Sequence, residues 1–192
     1  MLIASSETEI TLYFLQPALR KCLPELYIQI LPILRSEEYS RNMGNYRLEE
    51  LSAKTIVAAN SLTLKPGQEQ FVAPTSYALA ESYFNPNTEW PRVVLENDTV
   101  VGFIRGHFDP ESDQPEFKSC IWRIVVAADA QGKGVGRFAI EALADEAKSR
   151  GFATLTVLWE SGSKGPGDFF HKLGFVDIGT SRFGEIIGEL KL

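Results

Sequence analysis

The sequence predicts a mixed α/β fold in which antiparallel strands come first and a strand–helix–strand crossover follows. Three observations carry this. Arg92 to Glu96 and Thr99 to Phe108 are apolar-rich runs separated by Asn97-Asp98, a two-residue hairpin turn. Ser119 to Val126 contains the run Ile121-Trp122-Arg123-Ile124-Val125-Val126, which reads as a buried strand. Phe138 to Arg150 reads as an amphipathic helix, because Ala139, Ile140, Leu143 and Ala147 share one face while Glu141, Asp145, Glu146 and Lys148 lie elsewhere.

The remaining elements follow in order. Residues 1–45 form an N-terminal extension: Ile10 to Leu15 suits a strand, and Ala18 to Leu34 is apolar but punctuated by Pro24 and Pro32, so any helix there is short or kinked. Its apolar side chains imply burial against something, either the same domain or the partner of a homodimer. Residues 46–192 form the main domain. Tyr46 to Leu51 is a candidate first strand. Ser52 can cap a helix from Ala53 to about Leu64, which Pro66-Gly67 ends. A second helix covers Ser76 to Tyr83 and stops before Pro86. After the hairpin, Asp109 to Glu116 is an acidic connection. Thr154 to Trp159 is a strand, Gly165 to Leu173 a short helix, and Val176 to Gly179 and Glu185 to Leu190 are closing strands.

Between the buried strand and the long helix lies Gln131-Gly132-Lys133-Gly134-Val135-Gly136-Arg137. A helix N-terminus has unpaired N–H groups and a partial positive charge, and glycines let a ligand approach the backbone closely. Lys133 and Arg137 add full charges, so the chemistry that fits is a phosphate or pyrophosphate cradle. An ordinary strand–turn–helix junction would explain the glycines alone. A dinucleotide fingerprint is a second option: Gly134 to Ala139 fits G-x-G-x-x-A, with Glu160 about 20 residues on. Against it, five residues separate strand from glycine, and too little chain follows for further strand–helix units.

A third reading is a resemblance. Gln131-x-x-Gly134-x-Gly136 resembles the Q/R-x-x-G-x-G/A signature of the GNAT superfamily of N-acetyltransferases, and Phe169-Phe170-His171-Lys172-Leu173-Gly174-Phe175 resembles the F-Y-x-K-L-G-F segment of that family. Gln68-Glu69-x-Phe71-Val72-Ala73-Pro74, the Trp122-Arg123 pair and Gly165-Pro166 resemble spermidine/spermine acetyltransferase-like members. The resemblance covers about Tyr46 to Leu192. It implies a central mixed, strongly twisted sheet flanked by helices, and acetyl-CoA as cosubstrate with no metal. It implies direct transfer to an amine without a covalent enzyme intermediate. It places the cofactor against the backbone of Ile124, Val125 and Val126, the turn Gln131, Gly132, Lys133, Gly134, Val135, Gly136 and Arg137, and Ser163, Pro166 and Phe170.

The chain departs from the family where the usual acid tyrosine is Phe170 and the usual asparagine is Ser163. A phenyl ring donates no proton, and losing a general acid costs about 10²–10⁴-fold. A thiol with a pKa of about 8.5 is nonetheless a fair leaving group. Water, Tyr77 or Tyr83 can substitute, and a packing aromatic is the plain structural account of Phe170. Glu69 is the candidate base or relay for the amine proton, with a solvated loop carboxylate as its structural alternative. Glu69, Tyr77 and Trp122 are the candidate acceptor-binding residues; Trp90 and Trp122 equally suit core packing. Asp109, Glu111, Asp113 and Glu116 can face a polyamine or simply be solvated.

Composition bounds the partners. With 192 residues there is chain enough for a real core. A net charge of −6 argues against a general nucleic-acid binder and favours a cationic partner. Cys22 and Cys120 make no disulfide framework, and His107 and His171 sit in no metal pattern. The start lacks a basic n-region and the longest apolar stretch there is too short to span a bilayer, so a cytoplasmic protein without membrane contact is expected. Two functions follow: an acetyl-CoA-dependent N-acetyltransferase acting on a small amine, with a polyamine as one option, or a catalytically weakened domain that binds acetyl-CoA as a sensor or assembly module.

Overall fold

The Asn97-Asp98 hairpin forms where the sequence places it. Asn97 takes a φ of 56°, a left-handed conformation that asparagine tolerates, and joins β2 (Glu89–Glu96) to β3 (Thr99–Phe108). The computed structural model describes residues 46–72, 75–162 and 165–192, all within the unit Asn45–Leu192. The expected strand at 10–15, the apolar stretch 18–34 and any homodimer contact made by them lie outside the described residues.

Seven strands make one sheet in the order β1-β2-β3-β4-β5-β7-β6. They are β1 (Tyr46–Glu50), β2, β3, β4 (Ser119–Val126), β5 (Thr154–Trp159), β6 (Val176–Thr180) and β7 (Ile186–Lys191). Every neighbouring pair is antiparallel except β4 and β5, which are parallel. A parallel pair needs a crossover, and the long helix α3 (Val135–Ser149) supplies it. The sheet is therefore mixed, with helices on both faces.

One face carries α3. Its Val135, Phe138, Ala139, Ile140, Leu143 and Ala147 are buried, the stripe the sequence marks. Gly102 and Gly106 of β3 make room for it: a Cβ on Gly102 would stand 3.0 Å from Val135 Cγ1, and one on Gly106 would overlap Leu143 Cδ1. The other face carries α1 (Ile56–Asn60) and α2 (Thr75–Phe84), and its core is Ala59, Ala78, Val93, Leu95, Phe103 and Val125. The last helix, α4 (Gly167–Lys172), sets Phe170 against Trp159 of β5.

Three elements depart from the expected bounds by three residues or more. The helix at 53–64 shrinks to α1: the Ser52 carbonyl accepts from the N–H groups of Thr55 and Ile56, closing a turn first. The β-branched run Thr55-Ile56-Val57 gives little helix drive, and α1 buries only Ala59. α3 begins at Val135, three residues early, because Gly134 at φ 99° ends the loop. β2 reaches back through Pro91 to Glu89. Pro91 O faces the β1 side, where Leu51 N–H meets it at 3.4 Å and the paired part of β1 has already ended at Glu50. The missing proline N–H therefore falls on that unpaired edge.

Candidate functional site

β4 is the axis of the site. Its residues Arg123 to Val126 pair with Arg105 to Gly102, and Ser119 to Ile121 pair with Phe108 to Gly106. Trp122 is the extra residue between the two sets, a β-bulge that turns the strand. On its other edge β4 pairs with β5 only at Cys120↔Thr156 and Ile121↔Val157. After Ile121 the two strands part, while β5 stays zipped to β7 through Trp159. The backbone of Trp122 to Val126, including Ile124 and Val125, thus borders a gap with no β5 partner, and those of its N–H and C=O groups that bond neither β3 nor Gln131 can meet a ligand.

The gap leads to the glycine-rich turn. Gly132 (φ 81°) and Gly134 (φ 99°) both hold left-handed backbone, and nothing among the described residues lies within 4 Å of where their Cβ atoms would be. Gly134 is the N-cap of the 15-residue α3, whose first turn carries no acidic residue. Lys133 is exposed, and Arg137 makes only an exposed pair with Glu141 at 3.5 Å. Open backbone, a helix N-terminus and two cations together fit a diphosphate. Val135 and Gly136 are buried beneath this turn, and a Cβ on Gly136 would stand 2.8 Å from Phe169 Cζ. Gln131 braces the turn: its Nε2 donates to Val126 O at 3.1 Å and to Gln68 Oε1 at 2.8 Å, while Gln68 Nε2 donates to Gln131 Oε1 at 3.2 Å. Tyr46 Oη donates to Lys133 O at 3.1 Å.

Phe170 lies 3% exposed, its ring 5.3 Å from Trp159, 5.3 Å from Phe169 and 5.5 Å from Phe175. Pro166 caps α4, and its carbonyl accepts from the N–H groups of Phe169 and Phe170. Ser163 lies outside the described residues. Glu69 is exposed, and its Oε2 accepts from Gly67 N–H at 2.8 Å, closing its own turn. The neighbouring Gln68 reaches Gln131, so this stretch adjoins the turn end of β4. Tyr77 and Tyr83 on α2 are exposed, and Trp122 is 39% exposed.

Sequence reasoning missed a charged cluster on the α2 face of the sheet. Arg105 of β3, only 2% exposed, is ion-paired to Glu89 of β2 and to Glu81 of α2. Glu89, equally buried, also accepts from His107 Nδ1 at 2.8 Å. The guanidinium of Arg105 and the ring of His107 both meet Trp122, at 5.3 and 5.1 Å between centres. Burial pushes the Glu89 carboxyl up, but the hydrogen bonds from His107 and Arg105 outweigh it and hold it below the usual carboxylate value. Burial pushes the Cys120 thiol up, which keeps it unreactive. The signal was the period-two alternation in β3: Phe103, Arg105 and His107 share a face opposite Gly102, Ile104 and Gly106. No group of His, Cys, Asp and Glu able to hold a metal occurs among the described residues. No helix among them is long and apolar enough to cross a membrane.

A sheet that opens after a bulge, with a glycine-lined helix N-terminus at the end of the opening, defines an acyl-CoA-dependent transferase. The chain belongs to the acetyltransferase (GNAT) family, whose model matches residues 56–175. Acetyl-CoA-dependent acetyl transfer is the activity of that family. No curated protein sequence matches the chain. Among solved structures it is similar to Ard1 from Thermoplasma volcanium, with a TM-score of 0.60 at 17% identity over 78% of this chain and 99% of that one. It is also similar to the ribosomal-protein-S18-alanine N-acetyltransferase from Escherichia coli (TM-score 0.55, 19% identity, 76% and 93% covered). The PaiA N-acetyltransferase from Thermoplasma acidophilum in complex with coenzyme A gives 0.58 at 15% identity over 78% and 100%. At these identities the likeness is one of fold.

Proposed function

We propose that this protein transfers the acetyl group of acetyl-CoA directly to the amine of a small molecule in the cytoplasm, a polyamine being the acceptor class its sequence resembles most. The observation that carries the reading is the parting of β4 and β5 after Ile121↔Val157, which leaves a slot of strand backbone running to the cradle. Acetyl-CoA, when bound, supplies an activated thioester. The chain's own part is positional. The amides of Gly132 to Arg137 hold the diphosphate, with Lys133 and Arg137 adding charge. The backbone of Ile124, Val125 and Val126 orients the pantetheine arm and donates an N–H toward the acetyl oxygen. Pro166 and Phe170 of the α4 segment remain proposed cofactor contacts, as does Ser163, which lies outside the described residues.

A cationic acceptor is supported by charge. The chain carries a net −6. Glu69, Tyr77 and Trp122 remain the proposed acceptor-side contacts. A second reading, a weakened domain that binds acetyl-CoA without turning it over, is favoured by Phe170, which offers no proton and is packed among three aromatic rings.

The test is CoA release from acetyl-CoA with a panel of amines, run beside Phe170→Tyr. Turnover with the native protein, faster in the variant, supports transfer by a site that works without its acid. Tight acetyl-CoA binding without transfer to any amine supports the second reading. Failure to bind acetyl-CoA sinks both.

A further inference from the structure

We propose that His107, seated by Glu89 and Arg105, is the group that takes the proton from the acceptor amine. This rests on the transfer reading above. An amine with a pKa of about 10 arrives protonated and has no lone pair until a base removes a proton. The base must stand near the gap, carry a nitrogen lone pair in its neutral form, and be held in one orientation.

His107 meets all three conditions. Its ring packs on Trp122, the bulge residue at which β4 leaves β5, so it sits at the mouth of the gap. Its Nδ1 is 2.8 Å from Glu89 Oε1. An ionised carboxylate only accepts, so the neutral ring must carry its proton on Nδ1, which leaves the Nε2 lone pair bare. Nε2 makes no hydrogen bond among the described residues, and the side chain is 16% exposed. Glu89 is itself fixed, since its second oxygen takes Arg105 Nε, and Arg105 is pinned in turn by Glu81. The charged and titratable groups around the ring are therefore Glu89 from β2, Arg105 on its own strand, Glu81 from α2 through Arg105, and Cys120 and Arg123 from β4. Trp122 and Phe117 close the aromatic side. A base oriented by a buried carboxylate follows the same logic as the base of a nucleophilic triad.

The step balances. One proton of the ammonium passes to His107 Nε2 and on to water. The freed lone pair on nitrogen forms the C–N bond while the thioester C–S bond breaks, its electron pair leaving on sulfur. A second proton from the same nitrogen ends on that sulfur, giving amide, thiol and one proton in solution.

Two measurements test this. Nitrogen-15 NMR of the imidazoles near neutral pH reads the tautomer without any turnover. His171→Asn removes the other of the two histidines and assigns the signal. A neutral ring protonated on Nδ1 is expected; a ring protonated on Nε2, or one that stays an imidazolium, overturns the proposal. In the transfer assay, His107→Gln is expected to lower kcat/KM about 10²–10⁴-fold with acetyl-CoA affinity kept. Free imidazole should restore part of the rate to His107→Ala. Wild-type kcat/KM in His107→Gln, or a loss that imidazole does not restore, overturns the role and leaves the transfer reading standing. A native protein that transfers to no amine overturns both.

Discussion

Replacing Glu89 by alanine strips a buried guanidinium of its closest counter-charge. Arg105 and Glu89 are each 2% exposed in their side chains, so neither can exchange its partner for water. Removing one member of such a pair costs about 3–5 kcal/mol, because the other is left charged and desolvated. Glu81 remains, but it is 47% exposed and shares its charge with solvent, so it offsets only part of this. For a chain of this length 1 kcal/mol moves Tm by about 2–4 °C, so Glu89→Ala should melt roughly 6–20 °C lower at neutral pH. Glu89→Gln keeps an acceptor for Arg105 and should lose less. The pH dependence has a definite sign. Glu89 is held below its unfolded value by His107 and Arg105 against the cost of burial. Its contribution is complete above an unfolded carboxyl pKa of about 4.3 and is lost as pH falls through the lower folded value. The gap in Tm between wild type and Glu89→Ala should therefore narrow in acid. A fall of less than about 3 °C at neutral pH, or a gap that does not narrow, would refute the reasoning.

Gly134→Ala forces a side chain onto a backbone at φ 99°, a cost of about 1–2 kcal/mol, and puts a methyl group into the open face of the cradle; calorimetry should show weaker acetyl-CoA binding as well as a lower Tm. Gly188→Ala drives a Cβ to 2.6 Å from Trp159 Cη2, and the overpacking should cost about 1–3 kcal/mol in a urea titration, with acetyl-CoA affinity retained. Gln131→Ala removes the braces to Val126 O and Gln68, worth about 0.5–1.5 kcal/mol each, and should raise the acetyl-CoA dissociation constant because the turn loses its tie to β4.

The parts of the fold that were legible are those whose residues act locally. The Asn97-Asp98 turn, the β4 run and the 139–147 stripe each fix their own conformation, and β3, β4 and β5 fall where the pattern puts them. The glycine-rich turn and the helix start behind it were legible for the same reason, since glycine freedom and helix capping belong to neighbouring residues. The helix at 53–64 was overread because Ser52 closes a turn before the helix starts, a competition that propensity does not reveal. The Glu81–Arg105–Glu89–His107 cluster was not legible, because its members come from α2, β2 and β3 and meet only through the hairpin register Glu89↔His107 and the packing of α2. Alternation could have placed Arg105 and His107 on one face, but not told which face was covered. The bonds that tie Gln131 to Val126 and Gln68 were not legible either, because Gln68 comes from a loop far off in sequence.

The buried cluster needs an explanation that stability does not supply. A buried ion pair gains little over well-packed apolar side chains of similar volume, and such replacements are often neutral or stabilising by about 1–4 kcal/mol. Apolar residues at 89 and 105 would extend the core already formed by Val93, Phe103 and Val125 on the same face. What they could not do is orient His107. The carboxylate fixes the imidazole tautomer, Arg105 fixes the carboxylate, and the ring meets Trp122 where the two central strands separate. This yields a separable expectation: Glu89→Leu with Arg105→Met should fold at least as stably as the native protein by thermal melting, yet lose transfer activity and the Nδ1–H signature of His107 together. Full activity in that double variant would mean that the cluster only holds the strands in register.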